Sequence, residues 1–545
     1  MDPNASGQVP DFPQPGKTQT RQEKAPPAVC SDGKDVAFAA LFAVLGVLTA
    51  DAVLYKGMNL GFSAAVLALL AAIAVYSWKK GMRPTAFSVF CVLAVAAGAV
   101  CFTFSADGLI RFCLTVMMAV LFAAAFAQTA GIGRFDCGTY QIFAETVRLA
   151  LVIPASGMQQ MLRALMYKKV GDVVCRRRSG GVLAGALCAV PVLLVLVPLL
   201  MRSDAAFEGV MKNTLFADAG EIFAVLLCGA VLFLFLFSLL FSARRGLAGA
   251  GSAPTGQRVQ KLDCIAAAVF LGVISFFYVL YLLSQSAYFF SAFAGILPEN
   301  FSVAAYARRG FFEMTAICAI NLILAAFAMI FTRRKAEKPH PAVRALCVFI
   351  CAFSLILIAA ALSKMVLYVR SFGMTRLRVL TSLFMLLLAV TFICVAVRFF
   401  ARRFAYMKVI AASAAVILLA AGYVNVDAVI ARYNVQAYRS GALETVDVAA
   451  LGELGDAAVP CIAQLLQDDD ADVAAAAGSE LAGRMYRYYV PDTDGDGTVR
   501  WRPREDRSLW RRNVVTDSAE KQLYALREEL SPYLAAFAGE YEDAQ

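Results

Sequence analysis

The sequence predicts an all-α fold: a polytopic transmembrane helix bundle of about 11 spans, followed by a small C-terminal helical soluble domain. Hydrophobic residues form 60 % of the 545-residue chain and charged residues 17 %, whereas an ordinary soluble domain carries about 25 % charged residues. Apolar windows long enough to cross a bilayer recur along the chain, and clusters of basic residues alternate between them. This composition excludes a cytosolic enzyme, a disordered chain and a secreted disulfide scaffold.

The N-terminal segment, residues 1–34, is predicted to be a disordered cytoplasmic tail, because prolines, glycines and charges outweigh its large apolar residues. The spans after it form a first transmembrane group of about four helices in 35–130 and a second of about seven in 181–423. Each span needs roughly 20 mostly apolar residues. The windows that satisfy this lie at 35–55, 58–77, 86–105, 109–129, 181–201, 221–242, 264–290, 311–331, 343–363, 378–400 and 405–423.

The segment between the two groups, residues 131–180, is predicted to be amphipathic and either interfacial or cytoplasmic. Apolar residues recur at near-helical spacing over 139–170, with basic residues between them. This pattern is typical of one helix, or of two separated at Pro154, lying in the membrane interface. A helix packed on a cytoplasmic loop of the bundle is an equally good interpretation.

The distribution of Lys and Arg predicts the orientation of the chain, since cytoplasmic loops are enriched in these residues. With a cytoplasmic N-terminus, the main basic clusters all fall on the cytoplasmic side: Lys79-Lys80, Arg176-Arg177-Arg178, Arg244-Arg245, Arg333-Arg334-Lys335 and Arg402-Arg403. An odd number of spans then places the C-terminus outside the cell. We expect a multi-pass protein of the cell membrane.

The C-terminal segment, 424–545, differs in composition and is predicted to be an extracytoplasmic helical tail. It contains 22 Asp and Glu against 12 Lys and Arg. Near 446–485 an apolar face, an acidic turn at 468–470 and a second apolar face describe a helical hairpin similar to one HEAT-type unit. A solenoid needs about three such units, so the pattern indicates a small helical domain packed on the bundle.

The tail contains one candidate metal site. Asp492, Asp494 and Asp496, with Gly497, have the DxDxDG opening of a calcium loop, in which alternate carboxylates converge on one hard cation. The twelfth position, where such loops carry a bidentate Glu, is Pro503. An acidic surface turn is therefore the competing interpretation. Ca²⁺ is the single cofactor that we consider, and we expect no other.

A dense polar cluster precedes the eighth window and is the main candidate site near the membrane. It comprises Tyr306, Arg308, Arg309 and Glu313, followed by Asn321 within the span. Arg309 and Glu313 are four residues apart and thus neighbours on one helix face. We expect Glu313 near the helix N-terminus and Asn321 hydrogen-bonded to a neighbouring span. The cluster is interpreted either as a structural cap or as a ligand site at the outer membrane face.

The chain carries no recognisable catalytic constellation. Its one histidine, His340, lies in a polar loop, so a two-histidine metal site cannot be built from this chain. No Walker A, GxGxxG or GxSxG motif is present. We therefore expect a non-enzymatic protein.

A basic aromatic patch lies downstream of the Asp-rich segment. It contains Trp501, Arg502, Arg504, Arg507, Trp510, Arg511 and Arg512. Anchoring of the tail to the membrane surface and a surface loop with ion pairs to acidic residues are both compatible with it.

Three stretches resemble a known family: Tyr306 to Glu313 with Asn321, Asn425 to Asn434, and Leu454 to Pro460. They are similar to an uncharacterised bacterial polytopic membrane family, domain of unknown function 4173, which is related to 4153. The resemblance covers roughly residues 35–490. It implies a bacterial integral membrane protein and no particular activity.

These observations favour a non-catalytic integral membrane protein with a sensory or regulatory role. The alternatives are a transporter or channel for a small solute and, third, a membrane enzyme acting on lipid-linked substrates. The expected partners are the lipid bilayer and other membrane proteins. Nucleic acid is not expected, because the basic residues of the membrane part face anionic lipid headgroups.

Overall fold

The computed structural model describes residues 33–129, 167–170, 173–176, 219–244, 263–294, 303–331, 340–401, 403–493, 499–504 and 509–535, with the single residues 158, 192 and 196. The fold in these parts is all-α apart from two short β-hairpins. The chain is a multi-pass membrane protein with a docked C-terminal tail.

Ten long apolar helices form the described part of the bundle. They are α1 Gly33–Leu54, α2 Leu60–Lys79, α3 Ala86–Cys101, α4 Gly108–Thr129, α5 Ala219–Arg244, α6 Cys264–Ala294, α7 Val303–Phe331, α8 Pro341–Phe372, α9 Arg376–Phe400 and α10 Tyr406–Val424. Eight of them are long and apolar enough to cross a membrane. In the other two, the apolar stretches are the shorter Ala86–Cys101 and Glu313–Met329. Each helix coincides with one predicted window, and the window at 181–201 lies outside the described residues.

Two predicted boundaries differ from the structure. Helix α7 begins at Val303, several residues before the predicted window at 311–331, because charged and small residues can form helix where a hydropathy window detects none. Residues 167–170 were expected at the end of an amphipathic helix, yet Tyr167–Val170 is a β-strand, β1. It pairs antiparallel with β2, Val173–Arg176. The rest of the predicted interfacial segment lies outside the described residues.

Side-chain caps fix where several helices start. Thr85 and Ser88 form a reciprocal capping box at α3, and the Asp107 carboxylate accepts the Ile110 amide at 2.7 Å at the start of α4. His340 caps α8 by accepting the Ala342 amide through Nδ1, 3.3 Å away. These caps satisfy amides that have no partner within the helix. The lone histidine thus has a structural contact at an exposed helix end.

Helices α1 and α5 pack against each other through glycines. A Cβ atom added to Gly46 would lie 2.7 Å from the Gly229 carbonyl oxygen, and one on Gly229 would lie 2.7 Å from the Val47 Cα. The two backbones are therefore in direct contact, as in small-residue interfaces of membrane helices. Next to this contact the rings of Phe42, Tyr76 and Phe237 form a buried cluster that also includes α2.

Helices α6, α7, α8 and α9 share a second core. A polar triad lies inside it: the Tyr278 hydroxyl donates to Asn321 Oδ1 at 2.7 Å, and Asn321 Nδ2 donates to Ser354 Oγ at 2.9 Å. The Ser354 hydroxyl in turn donates to the Ile350 carbonyl. Each of these polar groups has a partner, as the membrane interior requires. The expected hydrogen bond from Asn321 to a neighbouring span is present.

The tail begins directly after α10, and its buried apolar residues form one continuous core with residues of α2, α3 and α4. Its elements are α11 Val426–Arg439, α12 Val448–Gly452, α13 Val459–Ile462, α14 Ala471–Tyr488, β3 Tyr489–Thr493, β4 Val499–Pro503 and α15 Val514–Ala525. Short 3₁₀ turns interrupt the first arm of the predicted 446–485 hairpin, whereas its second arm is the continuous α14. Strands β3 and β4 pair antiparallel, an element that the helical prediction did not include.

Candidate functional site

The tail rests on one end of the bundle, against three interhelical turns: 55–59, 102–107 and 373–375. The Leu60 amide donates to the Arg512 carbonyl at 3.2 Å, and the Val514 amide donates to the Thr103 carbonyl at 3.0 Å. The predicted topology places these three turns and the tail on the same side of the membrane, and the structure brings them together.

Arg111 joins the first two turns to each other, and Asn513 ties them to the tail. The Arg111 guanidinium donates to the Gly57, Phe102 and Ser105 carbonyls and to Asn59 Oδ1, at 2.9–3.1 Å. The buried Asn513 amide donates to the Phe102 and Ser105 carbonyls, both at 3.2 Å. The Phe102 and Ser105 carbonyls follow the end of α3 and accept no hydrogen bond from a helix backbone. Arg111 and Asn513 therefore provide their donors.

The third turn is tied to the tail by a buried ion pair. Arg376, the first residue of α9, donates from Nε to Asp427 Oδ1 at 2.6 Å and from Nη2 to Asp427 Oδ2 at 2.9 Å. Its Nε also lies 2.9 Å from Asp107 Oδ2, at the start of α4. Both carboxylates are nearly inaccessible, with 3 % and 6 % side-chain exposure. Burial raises the pKa of Asp427, and the Arg376 charge opposes that shift.

The α8–α9 turn itself is held by Asn434 of α11. Asn434 Oδ1 accepts the Met374 amide at 2.7 Å, and its Nδ2 donates to the Met374 carbonyl at 2.8 Å. Gly373 adopts φ +75°, and a Cβ atom there would lie 2.7 Å from Asn434 Oδ1. Glycine is thus required both for the left-handed conformation and for the close approach of the amide.

A cavity of about 910 Å³ opens beside this ion pair, between the α8–α9 turn and the tail. Its wall includes Arg376 from the bundle, and Glu444, Asp447 and Glu453 from the tail. The Arg376 charge interacts with Glu453 as well as with its two closer carboxylates. Acidic groups therefore outnumber basic ones among its charged lining residues, and such a wall favours a positively charged solute.

A second polar network stabilises the interior of the tail. Asp456 Oδ2 accepts the Tyr488 hydroxyl at 2.6 Å and the Thr516 hydroxyl at 2.8 Å, and Asp456 Oδ1 lies 3.4 Å from Arg484 Nη1. Arg484 is buried and also pairs with Glu480 at 3.0 Å. Burial and the adjacent Asp456 carboxylate raise the pKa of Tyr488. Every charge of this network has an opposite partner, as buried charges require.

The predicted outer cluster is described only in part. Tyr306, Arg308 and Arg309 lie in the first turns of α7, with side chains outside the described part of the structure. Because α7 begins at Val303, Glu313 lies about three turns inside the helix, so the expected N-terminal dipole effect, which acts within the first turn, does not apply. The Glu313 charge acts on Lys364 of α8 and Tyr281 of α6.

Asn321 belongs to a different site. It lies two turns further along α7, fully buried, and its partners are Tyr278 and Ser354 in the middle of neighbouring helices. Its role is to hold α6, α7 and α8 together.

The predicted calcium segment is described only at its first carboxylate. Asp492 lies in strand β3, opposite Arg500, and pairs with Arg502 of β4 at 2.6 Å. Asp494 and Asp496 lie outside the described residues. In the parts of the chain that the structure covers, no three His, Cys, Asp or Glu side chains form a group able to hold a metal ion.

Arg376, Asp107 and Asn434 were not candidate residues in the sequence analysis. Asp427 and Asn434 fall in the stretch Asn425 to Asn434 that carries the family resemblance. A usable signal was the position of Asp107, Arg376 and Asp427 at helix starts on the predicted outer side, where ionisable residues are uncommon unless paired.

Comparison with known proteins places the chain in a family but adds no activity. No curated protein and no solved structure matches it. Residues 89–465 match the family described as Domain of unknown function (DUF4153). This match supports the relation to family 4153 that the sequence resemblance implied, whereas the label 4173 is not supported. The matched region runs from α3 through the junction with Arg376, Asp427 and Asn434 into the first arm of the tail hairpin. Since it covers more than half of the chain, this protein belongs to the DUF4153 family.

Proposed function

We propose that this chain is a non-catalytic sensory or regulatory protein of the bacterial cell membrane, in which the tail senses a small solute and the junction transmits its binding to the bundle. The observation that carries this proposal is the position of Arg376. It forms part of the cavity wall and at the same time contacts Asp427 of the tail and Asp107 of α4. A solute that competes with Arg376 for its acidic neighbours changes the contacts of three elements at once.

The ligand class follows from the charges of the cavity. Glu444, Asp447 and Glu453 offer carboxylates, whereas the Arg376 guanidinium is already shared between two acidic partners. A small amine compensates the acidic wall and competes with Arg376 for Glu453. We therefore propose a small solute carrying a positive charge as the ligand.

Hydrogen exchange of the full chain in nanodiscs tests this role. Spermidine and ethanolamine are the probes, and citrate is the control of opposite charge. Binding should slow amide exchange in 442–454 and alter it in 426–439, and Glu444→Gln with Glu453→Gln should remove both effects. Arg439→Gln, an exposed change on α11, is the matched control. Unchanged exchange with both amines, or equal effects of citrate, contradicts the proposal.

The orientation proposed for the chain has the N-terminus in the cytoplasm and the tail outside. The alternation of basic clusters supports it, and Lys79 and Lys80 lie at the opposite end of α2 from the turn that contacts the tail. Labelling of intact cells with an impermeant thiol reagent tests it, in a background lacking reactive native cysteines. Ser440→Cys should react from outside and Lys79→Cys only after lysis. The reverse result places the tail in the cytoplasm.

Transport of a small solute is the second candidate, and one observation favours it. The charge of Glu313, which is exposed on α7, acts on the half-buried Lys364 of α8, and ionisable residues in spanning helices are typical of ion or solute pathways. Proteoliposomes containing the protein and a potential-sensitive dye test this candidate with proton and sodium gradients. A flux that Glu313→Gln abolishes, without loss of folded protein, supports transport over regulation.

A further inference from the structure

A second cavity, of about 320 Å³, lies in the tail and is separate from the junction cavity. It is formed where the end of α14, the residue after β4, the loop before α15 and the first turns of α15 meet. Its lining residues are Arg487, Tyr488, Arg504, Arg511, Arg512, Thr516, Asp517 and Glu520. We call it the arginine cavity.

The charge of the arginine cavity favours an anion. Four arginines and two acidic residues line the cavity, so the described lining residues carry a net positive charge. The hydroxyls of Tyr488 and Thr516 both donate to Asp456, at 2.6 and 2.8 Å, and are thus engaged with the tail interior. We therefore expect the arginines to bind the ligand, because each planar guanidinium can donate two parallel hydrogen bonds to phosphate oxygens.

The cavity lies at the level where the bundle meets the tail. The carbonyls of Arg511 and Arg512 accept hydrogen bonds from Nδ2 of Asn59, which precedes α2, and from the amide of Leu60, its first residue. Trp510 packs on Gly61, since a Cβ atom there would lie 3.2 Å from the Trp510 Cβ. Trp510 is nevertheless 54 % exposed. An exposed tryptophan packed beside the end of a spanning helix is typical of the lipid headgroup region.

We propose that the arginine cavity binds a phosphate group, and that its source is the headgroup of an anionic membrane lipid. The excess of guanidinium groups provides the binding chemistry, and the contact of residues 510–512 with the end of α2 brings a lipid phosphate within reach. This binding holds the tail on the membrane surface beside the bundle. The proposal does not depend on the regulatory role proposed above.

Binding to the purified full-length chain in detergent tests the proposal. The probes are dihexanoyl phosphatidylglycerol, dihexanoyl phosphatidylcholine and inorganic phosphate, and the readouts are a dissociation constant and the shift in melting temperature. The double variant Arg487→Gln/Arg512→Gln removes half of the guanidinium groups. Arg439→Gln, on an exposed face of the same tail, is the matched control. Arg512→Lys keeps the charge but loses paired donation.

We expect phosphatidylglycerol to bind more tightly than phosphatidylcholine, with a loss of about tenfold or more in the double variant and an intermediate loss in Arg512→Lys. The control variant should bind as the original chain does. Binding of inorganic phosphate as tight as that of the lipid, with the same dependence on arginine, overturns the lipid source while keeping the phosphate site. Lipid binding that is equal in all variants overturns the site itself. If the double variant does not fold, the Arg512→Lys comparison decides.

Discussion

The guanidinium of Arg376 and the carboxylate of Asp427 form a bidentate ion pair, although the two residues belong to different parts of the molecule. Arg376 opens a transmembrane helix, and Asp427 lies in the first turn of the tail. The same guanidinium reaches Asp107. One arginine therefore joins a bundle helix, a bundle turn and the tail.

Arg376→Gln should lower the free energy of unfolding by about 2 kcal/mol. This is less than the roughly 3–5 kcal/mol expected for breaking a fully buried pair, because the Arg376 side chain is 35 % exposed. In a double-mutant cycle with Asp427→Asn, the coupling energy should reach about 1–2 kcal/mol. Denaturant unfolding of the chain in nanodiscs measures both quantities. Additive single effects contradict the pairing, and Arg439→Gln should be neutral.

Asn321→Ala should destabilise the α6–α7–α8 core by about 1–2 kcal/mol. The change removes two hydrogen bonds, each worth about 0.6 kcal/mol on average between membrane helices, and leaves the buried Ser354 hydroxyl with only the Ile350 carbonyl. Thermal unfolding in nanodiscs measures the loss. Ser363→Ala is the control, because the Ser363 hydroxyl bonds within its own helix, to Ala360. An equally large effect of Ser363→Ala excludes a special role for the triad.

Glu313 should couple to Lys364 by about 0.5–1 kcal/mol. The sequence predicted Arg309, whose side chain lies outside the described residues, as a partner of Glu313, and in the structure the Glu313 charge acts on Lys364. The loss of stability in Glu313→Gln should therefore be relieved by Lys364→Gln. Relief by Arg309→Gln alone identifies Arg309 as the partner and contradicts this prediction.

The tail should lose stability above about pH 10 through Tyr488. Burial and Asp456 raise the pKa of Tyr488 above its unfolded value near 10, so the folded state keeps a proton that the unfolded state releases. The contribution of Tyr488 to the free energy of unfolding is fully present below about pH 10. It falls as the pH rises toward the folded pKa, by at most about 1.4 kcal/mol per pH unit. Melting curves of Tyr488→Phe should show a shallower alkaline decline. Tyr524→Phe, at an exposed position, should not.

Calcium binding by Asp492, Asp494 and Asp496 requires Asp492 to release Arg502. Arg502→Gln should therefore increase the rise in melting temperature that millimolar calcium produces, by on the order of 2–4 °C, since metal bound only to the folded state stabilises it. Asp492→Asn should abolish the rise. If the melting curves with calcium and with a chelator are the same, in both the original chain and Arg502→Gln, the segment is an acidic surface turn.

The spans were predictable because each is a local property of the sequence. Continuous apolar runs led to windows that coincide with all ten described bundle helices. The start of α7 at Val303 was not predictable in this way, because hydropathy measures apolarity and the residues before 311 are mixed. The β3–β4 hairpin was missed for a related reason: the Asp-rich segment suggested a metal loop, while β-prone Val499 and Trp501 beyond it favour a strand.

The candidate site was less predictable, because its residues are close only in three dimensions. Asp107, Arg376 and Asp427 come from three separate segments, and a single sequence contains no information on their pairing. The action of Glu313 on Lys364 was missed for the same reason, since the sequence indicates neighbours four residues apart on one helix and not a residue of the next helix. The hydrogen bond from Asn321 to another helix was predictable, because a side-chain amide buried in the membrane needs a partner on a neighbouring helix.

The contact of residues 509–514 with the turns 55–59 and 102–107 has a consequence for biosynthesis. The first helices are inserted into the membrane while the ribosome is still far from residue 509, so their turns lack these partners until much later in synthesis. The Phe102 and Ser105 carbonyls gain the Asn513 amide only once residues 509–514 have been synthesised and have reached the same side of the membrane. A chain truncated before residue 509 leaves this end of the bundle uncovered, so the first helices depend on a segment about 400 residues further along the chain for their final contacts.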